Sequence, residues 1–255
     1  MISDFIEIFL LSIIQGVSEF LPVSSAAHLV LASSIYDFKN QSLLIDISLH
    51  LGSLLAILYY FKNDIFQFRK NKNLFYKIII GTLPLIIVGY ILYTTNIIYH
   101  FRNIKVIAWA TLFFAILLYI ADKNKFYNKI DTNFNIKSVL VIGFFQILSL
   151  IPGVSRAGIT ITAGRILGFD RTDSTKISFY LSIPALTGAS ILAIKDLFKQ
   201  NVDFNLLAII GIILSFLLSL ITIKFFFKFI KNFSLNVFVM YRLFLAVVLL
   251  YIIYF

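Results

Sequence analysis

The chain has 255 residues, 60% of them hydrophobic and only 13% charged, with a mean hydropathy of +0.95. Soluble domains are about half apolar and about a quarter charged, so this composition excludes one and indicates an integral membrane protein. The net charge of +10 does not indicate a nucleic-acid binder, because the basic residues sit in short loops between apolar spans; the absence of cysteine excludes disulfides, Fe–S clusters and thiolate metal sites.

Residues 5–17 are apolar but short for a membrane span, which takes about 20 residues. They follow Asp4 rather than a basic segment, and no A-x-A site precedes a soluble domain, so they do not read as a cleaved leader. Polar residues and Pro22 interrupt the run, and a second short apolar piece follows at 28–35. Two half-length helices around a polar turn predict a re-entrant hairpin, tolerated at membrane depth only when buried in protein or lining a wet cavity. Full spans are predicted at 43–61, 74–93 and 104–121. A Lys- and Asn-rich linker occupies 122–135. A second broken segment, 136–168, contains Pro152, Gly153, Gly158 and Gly164, and spans at 174–195, 204–223 and 235–254 complete the chain.

The predicted fold class is therefore an all-α polytopic membrane protein forming one membrane domain, 1–255, built as an inverted-topology repeat. Each half, about 1–121 and about 136–255, holds one re-entrant hairpin and three transmembrane helices. Pro22 aligns with Pro152, and Ser25 and Ser155 each lie three residues further on. LGSLLAIL at 51–58 resembles TGASILAI at 187–194. An odd number of spans reverses the second half, so the broken helices should meet near the midplane. Loop charge orients the chain. With 62–73, 122–137, 165–176 and 224–231, together with Lys77, on the cytoplasmic side, the outer side gets only Lys39, Arg102, Lys105, Lys195 and Lys199, a positive-inside bias. Both termini then face outward, the first hairpin enters from outside and the second from the cytoplasm.

Chemistry concentrates in two stretches, QGVSEFLPVSSAAH (15–28) and SLIPGVSRAGITIT (149–162). Ionisable groups inside a membrane are costly and functional by default. Glu19, one of two glutamates in the chain, can bind a hard divalent cation or act as a general base; its structural reading is a plain ion pair with Arg156. Ser24 and Ser25 follow a proline and either expose hydroxyls or cap a helix beginning near Ala26. His28 lies three residues after Ser25, so both fit one face of the first turn and a proton-transfer role. Arg156 offers a planar fork for phosphate oxygens, Ser155 and Thr160 add hydroxyls, and Thr162 reads as helix surface or a supporting donor. The set suits hydrolysis of a phosphate ester or anhydride. A transporter of an anionic substrate fits the same spacing. Arg242, inside the last span, is expected to pair with an acid such as Asp46 or to snorkel, and His50 and His100 to be structural. Asp170, Arg171 and Asp173 predict a turn and helix start, and basic residues at the cytoplasmic ends suit anionic lipid headgroups.

The two stretches resemble the two signatures of the undecaprenyl-diphosphate phosphatase family, the bacitracin-resistance type, and GRILGFDRTDSTKISFYLSIPA is similar to that family's continuation. The resemblance covers essentially the whole chain. It implies a bacterial cytoplasmic-membrane hydrolase, multi-pass, with its site opening toward the outer face. Such an enzyme removes the terminal phosphate of undecaprenyl diphosphate, needs Mg²⁺ or Ca²⁺, and recycles the lipid carrier of peptidoglycan and other wall polymers. By position it implies catalytic roles for Glu19, Ser25, His28 and Arg156, substrate contacts from Ser24, Ser155, Arg156 and Thr160, and metal contacts from Glu19 and Gln15. The partners implied are the prenyl diphosphate lipid and the bilayer, with no nucleic acid; a homodimer is compatible with this reading. Three positions depart from the pattern: Gln15 stands where many members have Glu, Ala27 where glycine is usual and Ala157 where serine is usual.

Overall fold

A computed structural model describes residues 2–36, 38, 42–68, 72–124, 126, 128–199 and 205–255. Its helices, in chain order, are α1 (Ile2–Ser18), α2 (Ser25–Ile35), α3 (Leu43–Tyr60), α4 (Lys62–Phe68), α5 (Lys72–Thr94), α6 (Ile104–Asp122), α7 (Ile130–Asn133), α8 (Ile136–Ile147), α9 (Arg156–Ile166), α10 (Arg171–Lys199), α11 (Leu206–Asn232) and α12 (Asn236–Tyr254). No strand occurs among the described residues; Asn128 and Phe169 form an isolated bridge. Six of these helices, α3, α5, α6, α10, α11 and α12, are long and apolar enough to cross a membrane. The protein is an all-α polytopic membrane protein. Lys39, Arg69, Lys70 and Lys125, used in the loop-charge reading, lie outside the described residues.

Short polar side chains start the helices. Ser42, Asn103, Asn135 and Asn205 each accept a hydrogen bond from a first-turn backbone N–H of α3, α6, α8 and α11, at 3.4, 2.9, 3.0 and 2.9 Å. Asp170 does the same for α10, accepting from Asp173 N–H at 2.7 Å, so the expected helix start is present. One helix far outruns its predicted end. α11 continues to Asn232, so Lys224 and Lys228 are helical rather than in a loop, and Lys231 lies in the last turn. Cations there face the negative end of the helix dipole, and their aliphatic stems extend the apolar surface.

The halves share an element order: a broken pair of short helices, then three long ones. Their packing is exchanged. α1 lies against α11 while α8 lies against α5, and α3 meets both α10 and α11. The close crossings are made by small residues: a Cβ on Gly52 of α3 would overlap the backbone of α11 at Ile212, and one on Gly143 of α8 the backbone of α5 at Gly81. An aromatic cluster of Phe20, Phe61, Phe179, Tyr180, Phe226 and Phe238 fills the centre. Phe20, at the tip of the first hairpin, packs edge-on against Phe179 of α10 with centroids 5.3 Å apart.

The linker at 122–135 is less free than its composition implies. Asp122 is buried and accepts two bonds from the Arg171 fork, at 2.7 and 2.9 Å. It also takes Leu235 N–H at 3.2 Å and forms an ion pair with Arg165 at 3.4 Å. The ends of α6 and α9 and the starts of α10 and α12 are thereby tied at one carboxylate.

Candidate active site

The two hairpin turns repeat one backbone device. Ser24 (φ 80°) precedes α2 and Ser155 (φ 70°) precedes α9, each in the left-handed region that a side-chain-bearing residue occupies only when its surroundings demand it. Each caps its helix: Ser24 Oγ accepts Ala27 N–H at 3.4 Å and Ser155 Oγ accepts Gly158 N–H at 3.1 Å. This corrects the sequence alignment. Ser155 corresponds to Ser24, not Ser25. The second turn is one residue longer, since Ser24 is two residues beyond Pro22 and Ser155 three beyond Pro152. The residues that open the helices, Ser25 and Arg156, are therefore counterparts.

The tips interlock. Gly153 N–H donates to Ser24 Oγ at 3.3 Å, and Ser155 Oγ donates to Leu21 C=O at 3.5 Å. A β-carbon on Gly153 (φ 98°) would sit 2.7 Å from Ile107 O, so only glycine fits there. Arg242 closes the joint. Wholly buried, it donates from Nη2 to Gly153 O at 2.9 Å and Val154 O at 3.1 Å, and from Nη1 to Pro22 O at 3.4 Å. The expectation for Arg242 is corrected: these bonds run to three hairpin carbonyls, with neither snorkelling nor a bond to Asp46.

Above this joint the predicted residues meet. Glu19, 8% exposed, accepts from Arg156 Nη2 at 3.0 Å on one oxygen and from Ser25 Oγ at 2.7 Å and Gln15 Nε2 at 3.1 Å on the other. One carboxylate thus joins a hydroxyl from the first hairpin to a guanidinium from the second. Ser24, not Ser25, does the capping, which leaves the Ser25 hydroxyl free for Glu19. The N-termini of two 11-residue helices, α2 and α9, open here, and their backbone dipoles favour an anion.

Other predicted residues stand one step back. Thr160 is fully buried and bonds Ser178 Oγ at 2.7 Å, while Arg156 Nη1 donates to Ser178 O at 3.4 Å; Thr160 thus braces the arginine's own partner. Thr162 is also buried and donates to Gly158 O at 2.7 Å, so it is not helix surface. Ala27 and Ala157 are wholly buried. His28 bonds Ser24 O through Nδ1 at 2.7 Å and the Tyr241 hydroxyl through Nε2 at 2.5 Å, and its ring stacks on Tyr241 with centroids 5.7 Å apart. His50 bonds Asp46 O at 2.7 Å, one turn back along its own helix. Sequence reasoning missed Ser53, whose Oγ lies 3.5 Å from Gln15 Nε2, as well as Ser178 and Tyr241. Only their place on the site-facing side of long helices marks them.

A divalent cation was also expected. Among the described residues no group of three or more His, Cys, Asp or Glu side chains converges. Gln15 Oε1, however, is a buried oxygen with no hydrogen-bond partner, on the side chain that contacts Glu19. A carboxylate and a free amide oxygen on neighbouring side chains are hard donors of the kind Mg²⁺ and Ca²⁺ take.

Fold and site together define a polytopic membrane protein whose two broken helices bring a carboxylate, a hydroxyl and a guanidinium together in one centre. The chain belongs to the bacitracin resistance protein BacA family, whose family model matches residues 8–248. It is 54% identical over 255 residues, all of both chains, to the undecaprenyl-diphosphatase of Pelagibacter ubique (strain HTCC1062). It is 40% identical over 250 residues to that of Elusimicrobium minutum (strain Pei191), covering 94% of this chain and 95% of the relative. Undecaprenyl-diphosphatase 2 of Stutzerimonas stutzeri (strain A1501) is 37% identical over 264 residues, 97% of each chain.

Proposed function

We infer that the protein hydrolyses undecaprenyl diphosphate to undecaprenyl phosphate and inorganic phosphate, recycling the lipid carrier for wall synthesis and giving bacitracin resistance. The observation that carries the reading is the Glu19 carboxylate holding Ser25 of one hairpin and Arg156 of the other. The arriving diphosphate, richer in charge than a carboxylate, takes the Arg156 fork and the two helix N-termini. Glu19 then keeps Ser25 and Gln15 as its partners. Ser25 Oγ attacks the terminal phosphorus as its proton passes to Glu19. The new Oγ–P bond forms as the bond to the bridging oxygen breaks, and that oxygen leaves with the lipid phosphate. Water then displaces Ser25 from phosphorus, and the serine regains its proton. A bound Mg²⁺ or Ca²⁺, held by Glu19 and Gln15, would neutralise charge on the phosphate oxygens. Ser24 and Ser155 keep the turns in shape, and Thr160 holds Ser178 under Arg156.

The enzyme works in the bacterial cytoplasmic membrane as a pair of inverted repeats, with its site opening toward the outer face. Glu19, Ser25 and Arg156 all come from one chain. The prenyl tail lies among the lipid-facing apolar side chains.

Phosphate release from undecaprenyl diphosphate by purified protein, with and without EDTA, tests the activity. EDTA-sensitive release, lost in Glu19→Ala and Arg156→Ala, is the expected result. No release from folded wild type in detergent or in lipid would overturn the enzyme and leave a transporter of the lipid phosphate, which needs no serine and would survive Ser25→Ala. Because the chain has no cysteine, single cysteines placed at Lys129 and Asn103 report orientation. The first should label only in permeabilised cells and the second in intact ones.

A further inference from the structure

Tyr241 belongs to no motif, yet it meets His28, the histidine of the first hairpin. Each His28 nitrogen has one partner: Ser24 O for Nδ1 and the Tyr241 hydroxyl for Nε2. A carbonyl oxygen can only accept, so Nδ1 carries a hydrogen. The Arg242 guanidinium, on the residue next to Tyr241, is already buried in the same joint, and a neutral imidazole avoids setting a second cation beside it. A neutral ring with hydrogen on Nδ1 has its lone pair on Nε2, and the Tyr241 O–H is the donor to it.

We propose that Tyr241 is a positioning residue for His28: its hydroxyl and stacked ring hold the imidazole in the Nδ1-protonated form, with the Nε2 lone pair turned away from Ser25. The chain then has two proton acceptors kept apart. Ser25 is served by Glu19, while the basic nitrogen of His28 waits on the flank where Tyr241 is 43% exposed. A histidine three residues from a serine on one helical face would otherwise be free to compete for the serine's proton. The inference rests on the hydrolase reading for its kinetic arm and not for its spectroscopic one.

Protein labelled with ¹⁵N-histidine gives the tautomer directly, the His28 signals being assigned by their loss in His28→Gln. The expected spectrum of the wild type shows hydrogen on Nδ1 and an accepting Nε2, and in Tyr241→Phe the Nε2 signal moves as its donor is lost. Tyr241→Phe keeps the ring and should remain folded. It should lower kcat about five- to tenfold, the size of one hydrogen bond, with KM within about twofold. In a His28→Ala background the same change should alter kcat by less than about twofold, because the two side chains act as one unit. Hydrogen on Nε2 in the wild type, an unchanged Nε2 signal in Tyr241→Phe, or an equal loss of kcat with and without His28 would each overturn the proposal. Absence of all hydrolysis, with the spectra as expected, would instead fall on the reaction assigned above.

Discussion

The two hairpins compare closely enough for their difference to be informative. Each ends in a serine at positive φ that caps an 11-residue helix, and each places a polar residue at that helix's first position. In the first hairpin that residue is Ser25, in the second Arg156, and both reach Glu19, which the second hairpin does not match with an acid of its own. The shared part is scaffold: two turns whose caps and carbonyls interlock. The unshared part is chemistry, since a hydroxyl and a guanidinium on one carboxylate can do what two hydroxyls or two guanidiniums cannot.

Making the two positions fail separately breaks the comparison most severely. Ser25→Ala and Arg156→Ala should each lower phosphate release by about a thousandfold, the first by removing the attacking oxygen and the second by removing the anion clamp. Equal, mild effects would return both residues to scaffold. Next in size is the joint beneath. Arg242→Met leaves the Pro22 and Val154 carbonyls without a donor and Gly153 O with Thr111 Oγ alone, and at about 1–3 kcal/mol per unsatisfied group it should cost at least about 2 kcal/mol in chemical unfolding. The shared caps come below that: Ser24→Ala and Ser155→Ala should each cost about 1 kcal/mol, and by similar amounts if the two turns are counterparts. The smallest change sharpens the difference. Gln15→Glu adds a second carboxylate beside Glu19 and should lower the half-saturating Mg²⁺ concentration a few-fold in the release assay with little change in unfolding.

Much of the site was legible because its residues are out of place in an apolar run. Glu19, Ser25 and Arg156 announce themselves by the cost of burying them. The pairing of the turns was read one residue out, because Pro22 and Pro152 draw the eye while the real landmark is a backbone torsion that no residue type marks uniquely. Arg242 was visible as a charge within a span, but its partners were not. They are backbone carbonyls, which every residue carries and which therefore leave no trace in a sequence. Tyr241 was hidden for the opposite reason, being one aromatic ring among many on an apolar helix.

The sequence by itself determined the class of molecule, the positions of the six long helices and the two places where helices break, because hydropathy, helix period and capping residues act over short stretches of chain. It also determined which side chains are too costly to bury without purpose. Only the tertiary structure decided where they meet: Ser24 to cap, Ser25 to bond Glu19, Thr160 to brace, His28 to turn toward Tyr241, Arg242 to tie two turns. Those roles depend on which atoms from distant segments come within 3 Å or so of one another, a property of the packed chain and not of any stretch of it.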